Sequence, residues 1–283
     1  MSQPLIGRTA LVTGSGRGIG QQIAIKLAAA GSSVVVNDID KHVADATVNI
    51  IRSAGGVAVS CTGGVTEAPF AERFITTAVE EFGGIDTVVN SAGYTWDSLV
   101  QRMADEQWGA ILDVHLGTPF RILREAQLII SAAAKAEGNS GAEPITRKVA
   151  NISSIAGTCD NAGQANCSAA KSGAVGLTKT LAKEWGGYNV TVNYIAYGLI
   201  RTRLAESPAN SGATIDIEGR TLRAGVNPKL LAWMDKETPL GRAGTPEDAV
   251  GAAYLLCLPE SDYVSGHVLH CAGGLWTESR INR

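Results

Sequence analysis

The sequence predicts an α/β fold in which one doubly wound domain, residues 1–283, is built on a seven-stranded parallel sheet with helices on both faces. Two observations predict it. Short runs rich in Val, Ile and Ala alternate with longer segments in which apolar residues recur at helical spacing. The short runs are nearly continuously apolar, as expected for parallel strands that are covered on both faces. A chain of 283 residues, 45% of them hydrophobic, can bury the core that such a sheet needs.

Each element follows from its own stretch of sequence. The apolar runs predict strands at 8–13, 33–38, 57–61, 86–90, 148–153, 190–196 and 267–271. The segments of helical period predict helices near 18–30, 41–54, 67–82, 105–117, 119–137, 165–187 and 246–257. Because helices separate successive strands, crossover connections would make neighbouring strands parallel.

Two segments interrupt the alternation. Residues 138–148 read GNSGAEPITRK, and this polar, Gly-containing stretch predicts a surface loop. Residues 204–240 follow the sixth strand, and loops beyond the carboxyl ends of parallel strands lie over the ligand crevice. We therefore expect residues 204–240 to form a substrate lid, the alternative being a plain surface excursion.

Composition excludes several classes of function. The net charge is −3 and 18% of the residues are charged, so no basic surface for nucleic acid is expected. The apolar stretch at 128–134 is too short to cross a bilayer, and the first residues show no signal-peptide pattern, which predicts a cytoplasmic protein without a membrane partner. Five scattered cysteines lack C-x-x-C spacing and four histidines lack an H-E-x-x-H pattern. We expect reduced thiols and no metal site.

A glycine-rich turn between the first strand and the first helix predicts a dinucleotide site. The stretch is LVTGSGRGIGQQIAIKLAAAG, in which Gly14, Gly18 and Gly20 would let the backbone approach a pyrophosphate at a helix N-terminus. Asp38 follows Gly18 by twenty residues, where a carboxylate can accept the ribose hydroxyls of NAD and repel the 2′-phosphate of NADP. NAD is the predicted cofactor, although Arg17 could attract a 2′-phosphate.

The turn TGSGRGIG resembles that of the short-chain dehydrogenase/reductase family, and other segments extend the likeness over nearly the whole chain. VVNSAG (88–93), NISSIAG (151–157), YGLIRTRL (197–204) and the stretch at 239–274 resemble successive family segments. The bacterial 3-oxoacyl-carrier-protein-reductase-like members are most similar in character. The resemblance implies a single Rossmann domain, a carbonyl or secondary-alcohol substrate, and a homodimer or homotetramer formed through helices 119–137 and 165–187.

The resemblance also implies which residues contact the cofactor. They are Gly14, Arg17, Gly18, Ile19, Gly20, Asp38, Val65, Asn90, Ala92, Gly93, Lys171, Ile200 and Thr202. Two positions depart from the family pattern. Gly64 stands where an Asp usually binds the adenine amino group, so the backbone near Val65 is expected to hold the adenine. Tyr197 replaces a common proline beside the nicotinamide.

The catalytic positions depart further. The resemblance implies that Ser154 orients the substrate oxygen and that Lys171 binds the nicotinamide ribose and lowers the pKa of a catalytic tyrosine. Cys167 stands at the tyrosine position, and it shares a helix face with Lys171 because the two are four residues apart. His115 stands where an Asn holds a relay water. A histidine that titrates near neutrality could hold that water, and the alternative is a helix-bend residue that satisfies backbone groups.

Cys167 leaves three functions open. A thiol is more acidic than a phenol, and a lysine nearby would lower its pKa further, but it is a weak donor and lacks the reach of a tyrosine. The first function is an NAD(H)-dependent oxidoreductase with impaired or altered proton transfer, in which a water or Tyr94, Tyr194 or Tyr197 supplies the proton. A deliberate substitution of cysteine for a catalytic tyrosine at position 167 would give the same sequence. The second is a cofactor-binding scaffold or sensor without redox turnover. The third is a thiol-based activity of Cys167.

Overall fold

The computed structural model describes residues 3–141, 143–159, 162–202, 214–217, 220–223 and 228–275. Within them the strands are β1 (Thr9–Val12), β2 (Ser33–Val36), β3 (Val57–Ser60), β4 (Thr87–Asn90), β5 (Arg147–Ser154), β6 (Val190–Tyr197), β7 (Thr214–Ile217), β8 (Arg220–Arg223) and β9 (Val268–Cys271). The helices are α1 (Gly18–Ala29), α2 (Lys41–Ser53), α3 (Phe70–Phe82), α4 (Asp105–Leu112), α5 (Thr118–Ser140), α6 (Ala165–Trp185), α7 (Pro228–Glu237) and α8 (Pro246–Cys257).

Seven parallel strands form the main sheet in the order β3-β2-β1-β4-β5-β6-β9. The chain runs outward from β1 to β3, returns to β4 beside β1, and then runs outward in the other direction. The strand order therefore reverses between β1 and β4, and a ligand crevice is expected at the carboxyl ends of these strands. The predicted α/β class and the seven predicted strands are confirmed.

The core lies on both faces of this sheet because alternate strand residues point to opposite sides. On one face Val12 and Val34 pack with residues of α1 and α8 such as Ile23 and Ala253. On the other face Leu11 and neighbouring strand residues pack against α3 and α5. Burial on both faces explains why the strands read as continuous apolar runs.

The helix boundaries differ most from the prediction at three places. α3 begins at Phe70 rather than at 67, directly after Pro69. The predicted helices 105–117 and 119–137 are joined by a π-helical turn, Asp113–Gly117, instead of being separated. α5 then continues to Ser140 and ends at Gly141, which has a left-handed backbone, so the first residues of the predicted loop at 138–148 are helical.

The segment after β6 contains regular structure that the sequence analysis did not predict. β7 and β8 pair as an antiparallel hairpin, and α7 follows them. Residues 204–213, 218–219 and 224–227 of the predicted lid lie outside the described residues, and the lid stays a prediction. Among the helices of the described part of the chain, none has the length and apolarity that spanning a membrane requires.

Candidate active site

One cleft of about 920 Å³ lies along the carboxyl ends of the central strands. It extends from the N-terminus of α1 to the first turns of α6, so it joins the predicted dinucleotide turn to the predicted catalytic residues. The predicted site residues that line it are Gly14, Arg17, Gly18, Ile19, Gly20, Asp38, Val65, Ala92, Gly93, His115, Ser154, Cys167, Lys171, Ile200 and Thr202.

The turn between β1 and α1 fits a bound pyrophosphate. Gly14 has a φ of 60°, and a Cβ at this position would lie 2.7 Å from the Cα of Ala92, so only glycine allows the two loops to approach. No side chain of the described residues caps the N-terminus of α1, and its first turn contains no acidic residue. The free N–H groups and the positive end of the helix dipole are therefore available to phosphate oxygens.

The charges at the ribose end of the cleft come from one arginine and two aspartates. Asp38 is buried, with 7% of its surface exposed. Arg17 Nε lies 3.8 Å from Asp38 Oδ2, and Arg17 Nη2 lies 3.4 Å from Asp40 Oδ2. The guanidinium thus has two carboxylates as partners, which offset the attraction it would otherwise exert on a phosphate.

Asn90 is the predicted cofactor residue that the structure does not bring to the cleft. It is buried at the end of β4, and its Nδ2 donates to Asn151 Oδ1 at 2.9 Å. Asn151 in turn donates to Thr178 of α6 at 2.9 Å. Asn90 therefore ties β4 to β5 and α6 behind the cleft. Val65 does line the cleft, and its carbonyl accepts a hydrogen bond from Thr118.

Two adjacent hydroxyls at the end of β5 face the cleft. Ser154 Oγ accepts from the N–H of Ala156 at 3.2 Å, and Ser153 Oγ accepts from the hydroxyl of Tyr194 at 2.6 Å. Ser153 was not singled out from the sequence. Tyr194 is fully buried, and burial raises its pKa to about 12. Tyr197 donates to the carbonyl of Ala249 at 2.5 Å, which directs its hydroxyl into the core.

Cys167 is the most retracted of the catalytic positions. Its exposed fraction is 1%, and it packs with Tyr94, Ile111 and Val114. Burial raises the pKa of its thiol to about 11, against the opposing effect of Lys171 and together with the carboxylate of Asp97. The expectation that Lys171 would lower this pKa overall was wrong, because desolvation outweighs the attraction of the ammonium.

Asp97, in the loop after β4, is a residue that sequence reasoning missed. Gln164 Nε2 donates to Asp97 Oδ2 at 2.7 Å, and Cys167 Sγ lies 4.0 Å from Asp97 Oδ1. Burial raises the pKa of Asp97, although Gln164 and Lys171 act in the opposite direction. Burial also lowers the pKa of Lys171, opposed by Cys167 and Asp97. The spacing of 97, 167 and 171 in the sequence carries no signal of this cluster.

His115 lies in the π-helical turn, with its imidazole against the backbone of Gly93. A Cβ at Gly93 would collide with the ring. His115 Nε2 donates to the carbonyl of Tyr94 at 2.8 Å, and burial lowers the pKa of the imidazole to about 3. The expectation that His115 titrates near neutrality was wrong, because the ring is desolvated and lies near the Lys171 ammonium.

Neither metal ligation nor disulfide formation is apparent in the described residues. They contain no group of three or more His, Cys, Asp and Glu side chains that could hold a metal ion. Each of the five cysteines is free, and Cys159 is the exposed one among them.

Comparison with known proteins identifies the family. Residues 14–276 match a family profile described as enoyl-(acyl carrier protein) reductase. The chain is 37% identical to the short-chain reductase protein NovJ of Streptomyces niveus over 94% of this chain and 92% of the relative. It is 34% identical to the 3-oxoacyl-[acyl-carrier-protein] reductase FabG of Vibrio cholerae over 96% and 98%.

A solved structure agrees with these sequence relatives. A candidate short-chain alcohol dehydrogenase from Sinorhizobium meliloti superposes with a TM-score of 0.82 and 28% identity, over 97% of this chain and 98% of that one. The fold, the dinucleotide turn and the relatives lead to the same assignment. The chain belongs to the short-chain dehydrogenase/reductase family of oxidoreductases, whose fold holds a nicotinamide nucleotide.

Proposed function

We propose that the protein is an NAD(H)-dependent oxidoreductase that interconverts a carbonyl and a secondary alcohol, with proton transfer altered by Cys167. The observation that carries the proposal is the continuous cleft, which extends from Arg17 and Asp38 to Ser154 and Lys171. A dinucleotide bound along this cleft would have its nicotinamide end beside the hydroxyls of β5. Relatives named as reductases support a carbonyl substrate.

Preference for NAD over NADP rests on the carboxylates at the ribose end. Asp38 is buried beside the turn, and Arg17 already has Asp38 and Asp40 as partners. A 2′-phosphate would approach two carboxylates, whereas ribose hydroxyls could donate hydrogen bonds to them.

The residues at the other end would bind and orient the substrate oxygen. A bound nicotinamide would supply or accept the hydride. Ser153 and Ser154 each accept a hydrogen bond from a protein donor, so each keeps its own O–H proton for an oxygen atom in the cleft. The thiol of Cys167 would contribute little as an acid, because it is buried and its pKa is about 11.

Burial of Cys167 also favours a second candidate function, a cofactor-binding scaffold or sensor without redox turnover. A thiol that is 1% exposed presents little surface to a substrate held at Ser154. The thiol-based activity has less support, since a pKa of about 11 leaves on the order of one thiol in 10⁴ ionised at neutral pH.

A substrate lid and a homo-oligomer complete the proposal. Met234 of α7, within residues 204–240, lines the cleft, which supports a lid over the substrate.

Phe120 and Leu128 of α5 are 47% and 63% exposed, which supports helix pairing between copies. Cleavage of 204–240 by protease should slow when NAD and substrate are both bound, and light scattering should give the mass of a dimer or tetramer. Cleavage at an unchanged rate would contradict the lid. A monomeric mass would contradict the homo-oligomer.

The deciding experiment is turnover by the unmodified protein. NADH consumption is followed with a panel of ketones and 3-oxoacyl thioesters, and NADH binding is measured in parallel by fluorescence. Consumption that depends on the carbonyl supports the oxidoreductase. NADH binding without turnover of any substrate supports the scaffold instead.

A further inference from the structure

Lys171 supplies an ammonium group at the catalytic end of the cleft. Lys171 lines the cleft. Among the residues that the structure describes, its Nζ forms no hydrogen bond or ion pair, although Cys167 and Asp97 interact with it electrostatically. An ammonium group that is withdrawn from water and lacks a protein acceptor has all three protons available to a ligand.

The other proton donors near Lys171 are buried or already donate to protein acceptors, so Lys171 is the main proton source at this end of the cleft. Cys167, one turn earlier on α6, is 1% exposed, and its Sγ lies 4.0 Å from Asp97 Oδ1. His115, from the π-helical turn, donates its Nε2 proton to the carbonyl of Tyr94. Tyr194, from β6, approaches Lys171 across Gly157, but its hydroxyl donates to Ser153 and to the carbonyl of Ser154. Each of these donors is directed elsewhere.

A tyrosine at position 167 would project its ring past Lys171 toward the substrate. Cys167 and Lys171 line the same cleft, and a cysteine side chain fills less of that space than a tyrosine ring would. A substrate oxygen held by Ser154 can then approach Nζ without an intervening phenol. Removal of the tyrosine thus exposes a second acid.

We propose that Lys171 itself donates the proton to the substrate oxygen in this protein, and this rests on the function proposed above. During reduction a bound NADH would supply the hydride to the carbonyl carbon and become NAD⁺, and Nζ gives its proton to the carbonyl oxygen. The lysine is left as a neutral amine and regains its proton from water. In alcohol oxidation the neutral amine takes the proton from the hydroxyl.

The environment of Lys171 suits this role. Burial lowers its pKa below the usual 10.5, which makes the ammonium a stronger acid and brings the neutral amine closer to working pH. Cys167 and Asp97 oppose that shift, which favours the protonated form of the lysine. Because Cys167, Tyr194 and His115 are uncharged at neutral pH, Asp97 is the charged neighbour that tunes the lysine.

The first test compares Lys171→Arg in two backgrounds. Arginine keeps the positive charge for cofactor binding but does not release a proton near neutral pH. In the unmodified protein the substitution should lower kcat for carbonyl reduction by about 10²–10⁴-fold, the usual contribution of a general acid. In Cys167→Tyr, where the phenol donates, the loss should be at least tenfold smaller. NADH affinity, measured by fluorescence, should stay within about threefold in both.

The second test measures the lysine directly in the protein without ligand. Lysines labelled with ¹³C at Cε are titrated by NMR, and the Lys171 signal is assigned by its absence in Lys171→Arg. Asp97→Asn should move its titration to lower pH, because a carboxylate that favours the ammonium is removed. The alkaline limb of the pH profile for carbonyl reduction should also move to lower pH. Asp105→Asn, an exposed position on α4, is the control and should move neither.

The outcomes separate this proposal from the proposed function. Equal losses from Lys171→Arg in both backgrounds would make Lys171 a cofactor-binding residue and overturn its role as donor while the oxidoreductase stands. A Lys171 titration that is unmoved by Asp97→Asn would also overturn it. Absence of turnover in the unmodified protein, with NADH still bound, would overturn the oxidoreductase and the donor together.

Discussion

The two ends of the cleft follow the same family pattern, yet they differ in how far residue type predicts chemical behaviour. At the dinucleotide end, Gly14, Arg17 and Asp38 lie where the pattern places them, and Arg17 Nε pairs with Asp38 Oδ2 at 3.8 Å. At the catalytic end, Cys167 and His115 also lie in register, but burial moves their pKa values to about 11 and about 3. The sequence register predicts where a side chain lies. The pKa of that side chain depends on how far the fold excludes solvent from it, which the register does not predict.

The largest effect is expected at the catalytic end of the cleft, when a tyrosine is placed at position 167. We expect Cys167→Tyr to raise kcat for carbonyl reduction by up to about 10²-fold, the width of the range that one general acid contributes, because the phenol replaces Lys171 as the proton donor. NADH affinity should change little, since the new ring enters the cleft on the substrate side. The measurement is NADH consumption with ketones and 3-oxoacyl thioesters, for both proteins side by side.

Cys167→Phe is the matched control for this change. It adds the same ring without the hydroxyl, so it should show no gain in kcat if the hydroxyl is responsible. A gain of equal size in the phenylalanine variant would indicate improved packing near Tyr94 and Ile111 instead. Equal turnover by the unmodified protein and Cys167→Tyr would make Cys167 a tolerated residue whose replacement is immaterial.

The histidine at the catalytic end should make the fold sensitive to acid. The unfolded chain binds a proton at His115 near pH 6.5, whereas the folded protein resists it down to about pH 3. The free energy of unfolding should therefore decrease as the pH falls through this window, by roughly 2 kcal/mol between pH 7 and pH 5. In His115→Asn this contribution should be absent. Urea denaturation at the two pH values measures it.

His42→Asn controls for the loss of a histidine as such, because His42 is exposed on α2. It should lose as much stability on acidification as the unmodified protein. If His115→Asn shows the same loss as well, the imidazole of His115 is solvated and its contact with Tyr94 is not maintained in solution.

The sequence predicted the sheet, the turn at Gly14 and the cleft residues because these depend on local patterns and on register. It did not predict the Asp97–Cys167–Lys171 cluster, because 70 residues separate the carboxyl from the thiol that it approaches. Asn90 is a residue whose orientation the sequence motif does not decide. Its motif placed it at the cofactor, but the side chain turns inward to Asn151, and only the packing between β4, β5 and α6 decides that orientation.

The smallest predicted effect concerns the other end of the cleft, where residue type should suffice. NADH should bind at least tenfold more tightly than NADPH, a difference of about 1.4 kcal/mol, because a 2′-phosphate would meet the carboxylates of Asp38 and Asp40. Asp38→Ala should reduce the difference between the NADH and NADPH affinities for two reasons. It weakens NADH binding, and it leaves Arg17 with Asp40 as its carboxylate partner. Glu72→Ala, which removes an exposed carboxylate from α3, should leave the ratio unchanged and thereby exclude an effect of net charge. Both ratios come from fluorescence titration. A preference of the unmodified protein for NADPH would mean that Arg17 outweighs the two aspartates, and the contrast between a predictable and an unpredictable end of the cleft would then fail.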